Sequence, residues 1–191
     1  MASEWKRYKF RDLGRIITGK TPPTAQCENY GGRIPFITPT DMVDDRKVIG
    51  DTIRTLSDAG LNCVKGSLLP ARSVVVSCIG SDMGKVAINA CDAVTNQQIN
   101  SIAVSSAFNT EFVYYSLKGR KDQFQTLARG GSAQPILNKS PFSELTLCAP
   151  HIDEQAEIAG YLAVLDQRIA SLQVQSEILE TIANTIFKSY L

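Results

Sequence analysis

Apolar positions follow two different periods along this chain. From Ile158 onward they fall at alternating steps of four and three: Ile158, Leu162, Leu165, Ile169, Leu172, Leu179 and Ile186, with the small residues Ser176 and Ala183 completing the series. A heptad seam sustained in this way predicts a helix that packs along another helix rather than into a globular core. Asp153, shortly after Pro150, is the expected N-cap, and no proline interrupts the run to Leu191. At 1.5 Å per residue such a rod is roughly 55 Å long. The preceding segment offers no second helix of that length, so the seam predicts a partner strip on another chain. The alternative is a long surface helix lying on its own domain.

Before Pro150 the pattern changes to short β-branched runs bounded by Gly, Pro, Asn or Asp. Strands are predicted over Arg33–Thr38, Ser73–Ile79, Lys85–Asn89, Ile99–Val104 and Leu145–Ala149. Two short helices are predicted between them: Thr110–Lys118, capped by Asn109, and Lys121–Ala128, stopped before Gly130 and Gly131. No internal repeat or low-complexity linker is present. The expected fold class is α+β: a loop-rich globular body over residues 1–150, with short strands and helices, followed by a long C-terminal coiled-coil helix over residues 151–191.

Composition narrows the class. A chain of 191 residues can bury one substantial core of about 150 residues and has no room for two ordinary domains. Hydrophobic content of 43% with 20% charged residues fits a soluble globular protein. No apolar stretch approaches the roughly eighteen residues that span a membrane, and the polar start lacks a secretory h-region, so a cytoplasmic protein without a membrane partner is expected. Cys27, Cys63, Cys78, Cys91 and Cys148 are odd in number, widely spaced and free of CxxC pairs, which predicts reduced core residues and neither a metal nor a redox site. The net charge of +1 hides an asymmetry: residues 1–149 carry 18 basic against 13 acidic side chains, and residues 150–191 carry 2 against 6. A basic body suits a polyanionic partner, whereas the acidic arm faces something else. Lys118, Arg120, Lys121, Arg129 and Lys139 form a local basic stretch opposed only by Asp122; a solvated face is the plainer reading of such a run.

Enzyme signatures are weak. Gly14 to Thr21 matches GxxxxGKT, the phosphate loop of nucleotide hydrolases. That loop needs a buried strand before it and a helix opening at Lys20-Thr21. Here the preceding segment is heavily charged and Pro22-Pro23 follows, removing two amide donors, so a fortuitous turn match is expected. The single histidine, His151, lies beside the helix start, leaving nothing from which to build a Ser–His–Asp or Cys–His site. No spacing suggests a metal, and Asp41, Asp44 and Asp45 read as turn formers near Pro39. No catalytic residue and no cofactor is assigned, which favours a binding module.

The remaining candidates are polar loops able to approach a polyanion. Asn96, Gln97 and Gln98 present consecutive amides of the kind that read adenine. Gly80 to Lys85 and Gly130 to Gln134 are small-residue loops flanked by cations. Lys20, Thr21, Lys85, Arg129, Ser132 and Lys139 are therefore candidate phosphate or loop contacts, and Asn96, Gln97, Gln98 and Gln134 candidate base contacts. Ordinary turn chemistry is the plainer account of any single loop.

The ordered segments GKTPPT, YGGRIPFITPTDM, IGSDMGKVAI, TNQQIN, GGSAQPILNKSPF and LTLCAPHIDEQAEIAGYLAVLD resemble the specificity subunits of type I restriction-modification systems. The most specific element is Pro150-x-x-x-Glu154-Gln155-x-x-Ile158 leading into the heptad helix. The resemblance covers nearly the whole chain, from Trp5 to the arm. Members usually carry two target-recognition domains, each followed by a helix, and the two helices pack antiparallel. This chain has one of each, like a half-subunit or the first half of a longer protein. The resemblance implies binding of one half of a bipartite double-stranded DNA target, with the helices docking modification subunits that methylate adenine with S-adenosylmethionine. A restriction subunit that translocates and cleaves DNA would join the same assembly, and the chain would pair as a homodimer through its helix or with a second half. Two other readings remain: a nucleotide hydrolase using Lys20, and a coiled-coil adaptor that does not bind DNA.

Overall fold

The computed structural model describes residues 4–43, 46–128 and 136–189. Among the described residues eleven strands and six α-helices follow one another as β1 (Lys6–Lys9), α1 (Phe10–Leu13), β2 (Gly14–Thr18), β3 (Tyr30–Ile37), β4 (Val48–Ile49), β5 (Arg54–Leu56), α2 (Asp58–Cys63), β6 (Leu68–Leu69), β7 (Val74–Ser77), β8 (Val86–Asn89), β9 (Ala93–Thr95), β10 (Ile99–Val104), α3 (Thr110–Lys118), α4 (Lys121–Ala128), α5 (Lys139–Glu144), β11 (Thr146–Ala149) and α6 (Ile152–Ser189). The fold is α+β with a long C-terminal helix, as the pattern predicts.

Two sheets carry the body. The larger has the order β2-β10-β7-β8-β4 and the smaller β5-β3-β9-β6, while β1 pairs with β11 as a separate ribbon. The all-valine run of β7 shows why its sequence does not alternate: Val74 and Val76 face a helical core, and Val75 faces the second sheet. A strand covered on both faces reads as a continuous apolar run. The helical core gathers Phe10, Leu13, Phe112, Leu117, Phe124 and Phe142 against the larger sheet. Ile17, Ile37, Leu69, Val75 and Ile99 fill the layer between the sheets. Phe36, Leu56, Val64 and Val94 form a third cluster on the far side of the smaller sheet.

Several sequence-level expectations are met closely. The Asn109 side chain accepts from the Phe112 amide at 3.0 Å, capping α3 as expected. Helix α4 has the predicted bounds, and the five predicted strands appear, β3 starting earlier at Tyr30. Others need correction. Asp153 lies inside the first turn of α6 rather than at its cap, because the helix already begins at Ile152. Of the five cysteines only Cys78 is buried; Cys27, Cys63, Cys91 and Cys148 are exposed and free. The small, Ser-Pro-containing segment after Asn138 forms α5, so Lys139 opens a helix rather than sitting in a loop. The sequence pattern does not predict β1, β2, β4, β5, β6 and β9, which are two to five residues long; β2, β4, β5 and β6 are edge strands, β1 belongs to the ribbon, and β9 lies between β3 and β6.

Helix α6 does not lie on the body as a surface helix would. Its root is anchored: Gln155 and Ala159 are buried, Ile158 packs on the helical core, and Asp166 accepts from the Tyr115 hydroxyl at 2.7 Å. Leu162 is half-buried. Residues 167–188 are all exposed, Ile169, Leu172, Leu179 and Ile186 included, as is Leu165 on the preceding turn. No helix among the described residues is long and apolar enough to cross a membrane.

Candidate nucleic-acid interface

The antiparallel registers decide where the candidate residues meet. Strand β10 pairs Asn100 with Thr18 of β2, and Ile99 with Ser77 of β7, so β2 ends, β7 ends and β10 begins at one pole of the larger sheet. Strand β3 pairs Ile37 with Thr95 of β9, which brings the ends of both to the same pole. The described connections leaving that pole are residues 19–29, 38–43, 78–85 and 96–98. Segment 136–139 crosses beside them: Ile79 bridges to Ile136, and the Asn100 side chain donates to the Leu137 carbonyl at 2.9 Å. The pole therefore collects Lys20, Thr21, Lys85, Asn96, Gln97, Gln98 and Lys139. Arg129, Ser132 and Gln134 lie outside the described residues.

Two hollows open there. A cleft of about 470 Å³ is lined by the turn 38–41, Ile53, Arg54, residues 79–82, Asn96 and Gln98. Its walls are stiffened locally. Asp41 accepts from the Thr38 amide and hydroxyl and from the Ile53 amide at 2.7–2.8 Å. It is a turn former, as expected; Asp44 and Asp45 lie outside the described residues. Asn96 and Gln98 bond one another, Nδ2 to Oε1 at 3.0 Å. Gln97 stays exposed and accepts from the Thr21 hydroxyl at 2.6 Å, tying the 19–24 connection to the amide turn. Gly19 makes that approach possible, since a Cβ there would stand 2.2 Å from the Thr95 and Asn96 carbonyl oxygens.

The second hollow, about 450 Å³, runs along the outer strand β2 and is lined by Arg15, Thr18, Lys20, Gly66, Ser67 and Lys139 among others. Three cations and no carboxylate face it. Arg15 had no assigned role in the sequence; only its placement beside Lys20 and Lys139, distant in sequence, reveals it. Lys85 is different, because it is paired with Asp82 at 2.8 Å.

The basic stretch from Lys118 to Lys139 does not form one face among the described residues. Lys118 sits over the Tyr114 ring at 5.7 Å, Arg120 donates to the Thr146 carbonyl at 2.6 Å, and Lys121 packs against Gly84. Partial burial lowers the Arg120 pKa, as expected of a guanidinium used to hold β11. The GxxxxGKT segment is not a phosphate loop either. Gly14 to Thr18 is strand β2 itself, and no helix starts at Lys20. His151 is exposed and pairs with Asp153 at 3.1 Å. No group of three His, Cys, Asp or Glu among the described residues could hold a metal ion.

Residues 2–181 match the family model described as "Type I restriction modification DNA specificity domain". The chain belongs to that family. It is 39% identical to the type I restriction enzyme HindI specificity subunit of Haemophilus influenzae over 148 residues, covering 76% of this chain and 32% of that protein. Against the MjaIX specificity subunit of Methanocaldococcus jannaschii the identity is 30% over 189 residues, 98% of this chain and 44% of the relative. The chain thus spans less than half the length of these curated relatives. The fold is shared with a solved structure of a type I restriction-modification system, TM-score 0.70 at 18% identity over 91% of this chain and 41% of that one. It is also shared with the crystal structure of the HsdS subunit from Thermoanaerobacter tengcongensis, TM-score 0.66 at 15% identity over 88% and 39%.

Proposed function

We propose that residues 1–150 are a target-recognition domain that binds one half of a bipartite double-stranded DNA site, and that residues 151–191 are a pairing and docking helix. The observation that carries this reading is the gathering of two kinds of polar side chain, amides and cations, at a single pole of a family-matched fold. Phosphate contact is assigned to Arg15, Lys20 and Lys139 along β2, with Thr21 and Lys85 beside them, and base contact to the amide turn Asn96, Gln97 and Gln98. Arg129, Ser132 and Gln134 are kept as candidates from the sequence. The chain itself carries no catalysis; methyl transfer by modification subunits and translocation with cleavage by a restriction subunit occur on the target it selects. Its partner along the helix is a second copy or a second half of the same kind.

The test is reconstitution with the methyltransferase subunit of the same system and titration of duplex DNA over a salt series. Lys20→Ala and Lys139→Ala should weaken binding to all sequences and each lower the salt slope by about one unit. Gln97→Ala or Gln98→Ala should relax preference at one base pair at a cost of about 1–3 kcal/mol. A reconstituted complex without salt-dependent duplex binding refutes the assignment.

A further inference from the structure

Arg54 was not among the sequence candidates, yet it is the basic side chain that lines the cleft of the pole. It opens β5, opposite Phe36 of β3. Its guanidinium lies over two aromatic rings, 4.8 Å from the Tyr30 centroid and 5.2 Å from that of Phe36. Phe36 is buried, and the Tyr30 hydroxyl donates to the Pro22 carbonyl at 2.9 Å, so at least this part of the platform is fixed by the fold. The two rings stand 72° apart, so the guanidinium lies flat on at most one of them, and the in-plane N–H donors on its exposed side stay available. Arg54 is exposed, and no carboxylate pairs with it among the described residues. It also borders a third hollow, with Thr24, Tyr30, Gly31 and Thr55, and so stands between that hollow and the cleft.

We infer that Arg54 is a specificity-determining residue that reads a guanine through its O6 and N7 edge. This rests on the proposed DNA-binding role of the pole. Two features favour a base edge over a phosphate. Among the described residues Arg54 is the single cation lining the cleft, beside the Asp41 carboxylate and an Asp82 already paired with Lys85, whereas the β2 groove gathers three cations suited to a phosphate backbone. Asn96 and Gln98 line the same cleft, so the neighbouring donors and acceptors are also of the base-reading kind. A fork immobilised on aromatic rings loses little rotamer freedom on binding and presents two parallel N–H groups, the geometry that matches guanine bidentately.

The experiment selects duplexes from a randomised library with the chain assembled with its methyltransferase subunit, then repeats the selection with Arg54→Ala and Arg54→Lys. The parent should return a motif with an invariant G·C pair that becomes degenerate in both variants. Affinity for the parent's own target should fall about 10- to 100-fold in both, with melting temperatures unchanged. Lysine keeps the charge but not the fork, so its failure to restore the guanine preference distinguishes base reading from electrostatics. Uniform weakening on all duplexes with rescue by Arg54→Lys makes Arg54 a phosphate contact and overturns the inference, as does retention of the parent motif in both variants. If both variants melt early, Tyr30→Leu, which removes an aromatic face while leaving the guanidinium, serves instead; an unchanged motif and affinity in that well-folded variant also overturns it. If the parent complex selects no motif, the recognition role itself fails and takes this inference with it.

Discussion

Gln155 shows how a polar residue in the most family-specific segment can serve the fold rather than the ligand. It is 1% exposed; its Oε1 accepts from the Asn109 amide at 3.0 Å and its Nε2 donates to the Pro150 carbonyl at 2.9 Å. One side chain thereby joins the start of α3, the end of β11 and the root of α6. Gln155→Leu keeps the volume but strands both backbone groups, and urea unfolding should show a loss of about 1–3 kcal/mol. Cys78 gives a pH signature. Burial pushes its thiol from 9.0 up to about 11, although Asn100 donates to the sulfur at 3.3 Å. The folded state therefore holds its proton longer than the unfolded chain does. The associated stability is fully present below pH 9 and is lost as pH rises through 11. At 1.36 kcal/mol per unit the loss is about 2–3 kcal/mol. Cys78→Ala should remove that component, seen as a flatter stability profile over the same pH range.

At the scale of elements, the turns and the long helix respond in opposite ways to added side chains. Gly19 joins β2 to the pole and has no room for a Cβ beside Thr95 and Asn96. Gly19→Ala should displace the amide turn and weaken duplex binding at least tenfold while leaving the helical core intact, which circular dichroism and binding titration check together. Gly160 lies within α6 with nothing within 4 Å of a Cβ position. Gly160→Ala should stabilise the helix by about 0.5–1 kcal/mol, read as a rise in the thermal midpoint, because glycine loses more backbone freedom on entering a helix.

The molecule as a whole is a packed body with an exposed apolar rod. Leu165, Ile169, Leu172, Leu179 and Ile186 are each about half or more exposed, as are Val174, Ile178 and Ile182 beside them. Exposed apolar area on this scale is found on surfaces that meet another protein. The chain is expected to self-associate in sedimentation experiments, and Leu165→Asp with Leu172→Asp should abolish the association by placing charges in the seam. A parent that stays monomeric at high micromolar concentration assigns the rod to a second, non-identical half. A twofold pair would set two recognition poles on one duplex and predicts an inverted-repeat target.

Local periodicity determined much of this protein. The heptads of α6, the capped α3, the bounds of α4 and the longer strands follow from residue types a few positions apart, because helices and strands repeat every 3.6 and 2 residues. The failure of GxxxxGKT as a phosphate loop was legible too, from the charges before it and the prolines after it. What periodicity could not supply was the neighbourhood of distant segments. Short strands such as β4, β6 and β9 draw their identity from partners across a sheet rather than from their own two or three residues. The basic stretch looked continuous in sequence, but its residues point to different partners, Thr146, Tyr114 and Gly84 among them. Conversely, Arg15, Lys20 and Lys139 form one groove, and Arg54 joins Asn96 and Gln98, only because strand pairing, antiparallel for β2-β10 and β3-β5 and parallel for β3-β9, returns the chain to the same pole. Sequence fixes the chemistry each residue carries; long-range strand pairing decides which of those groups face a common partner.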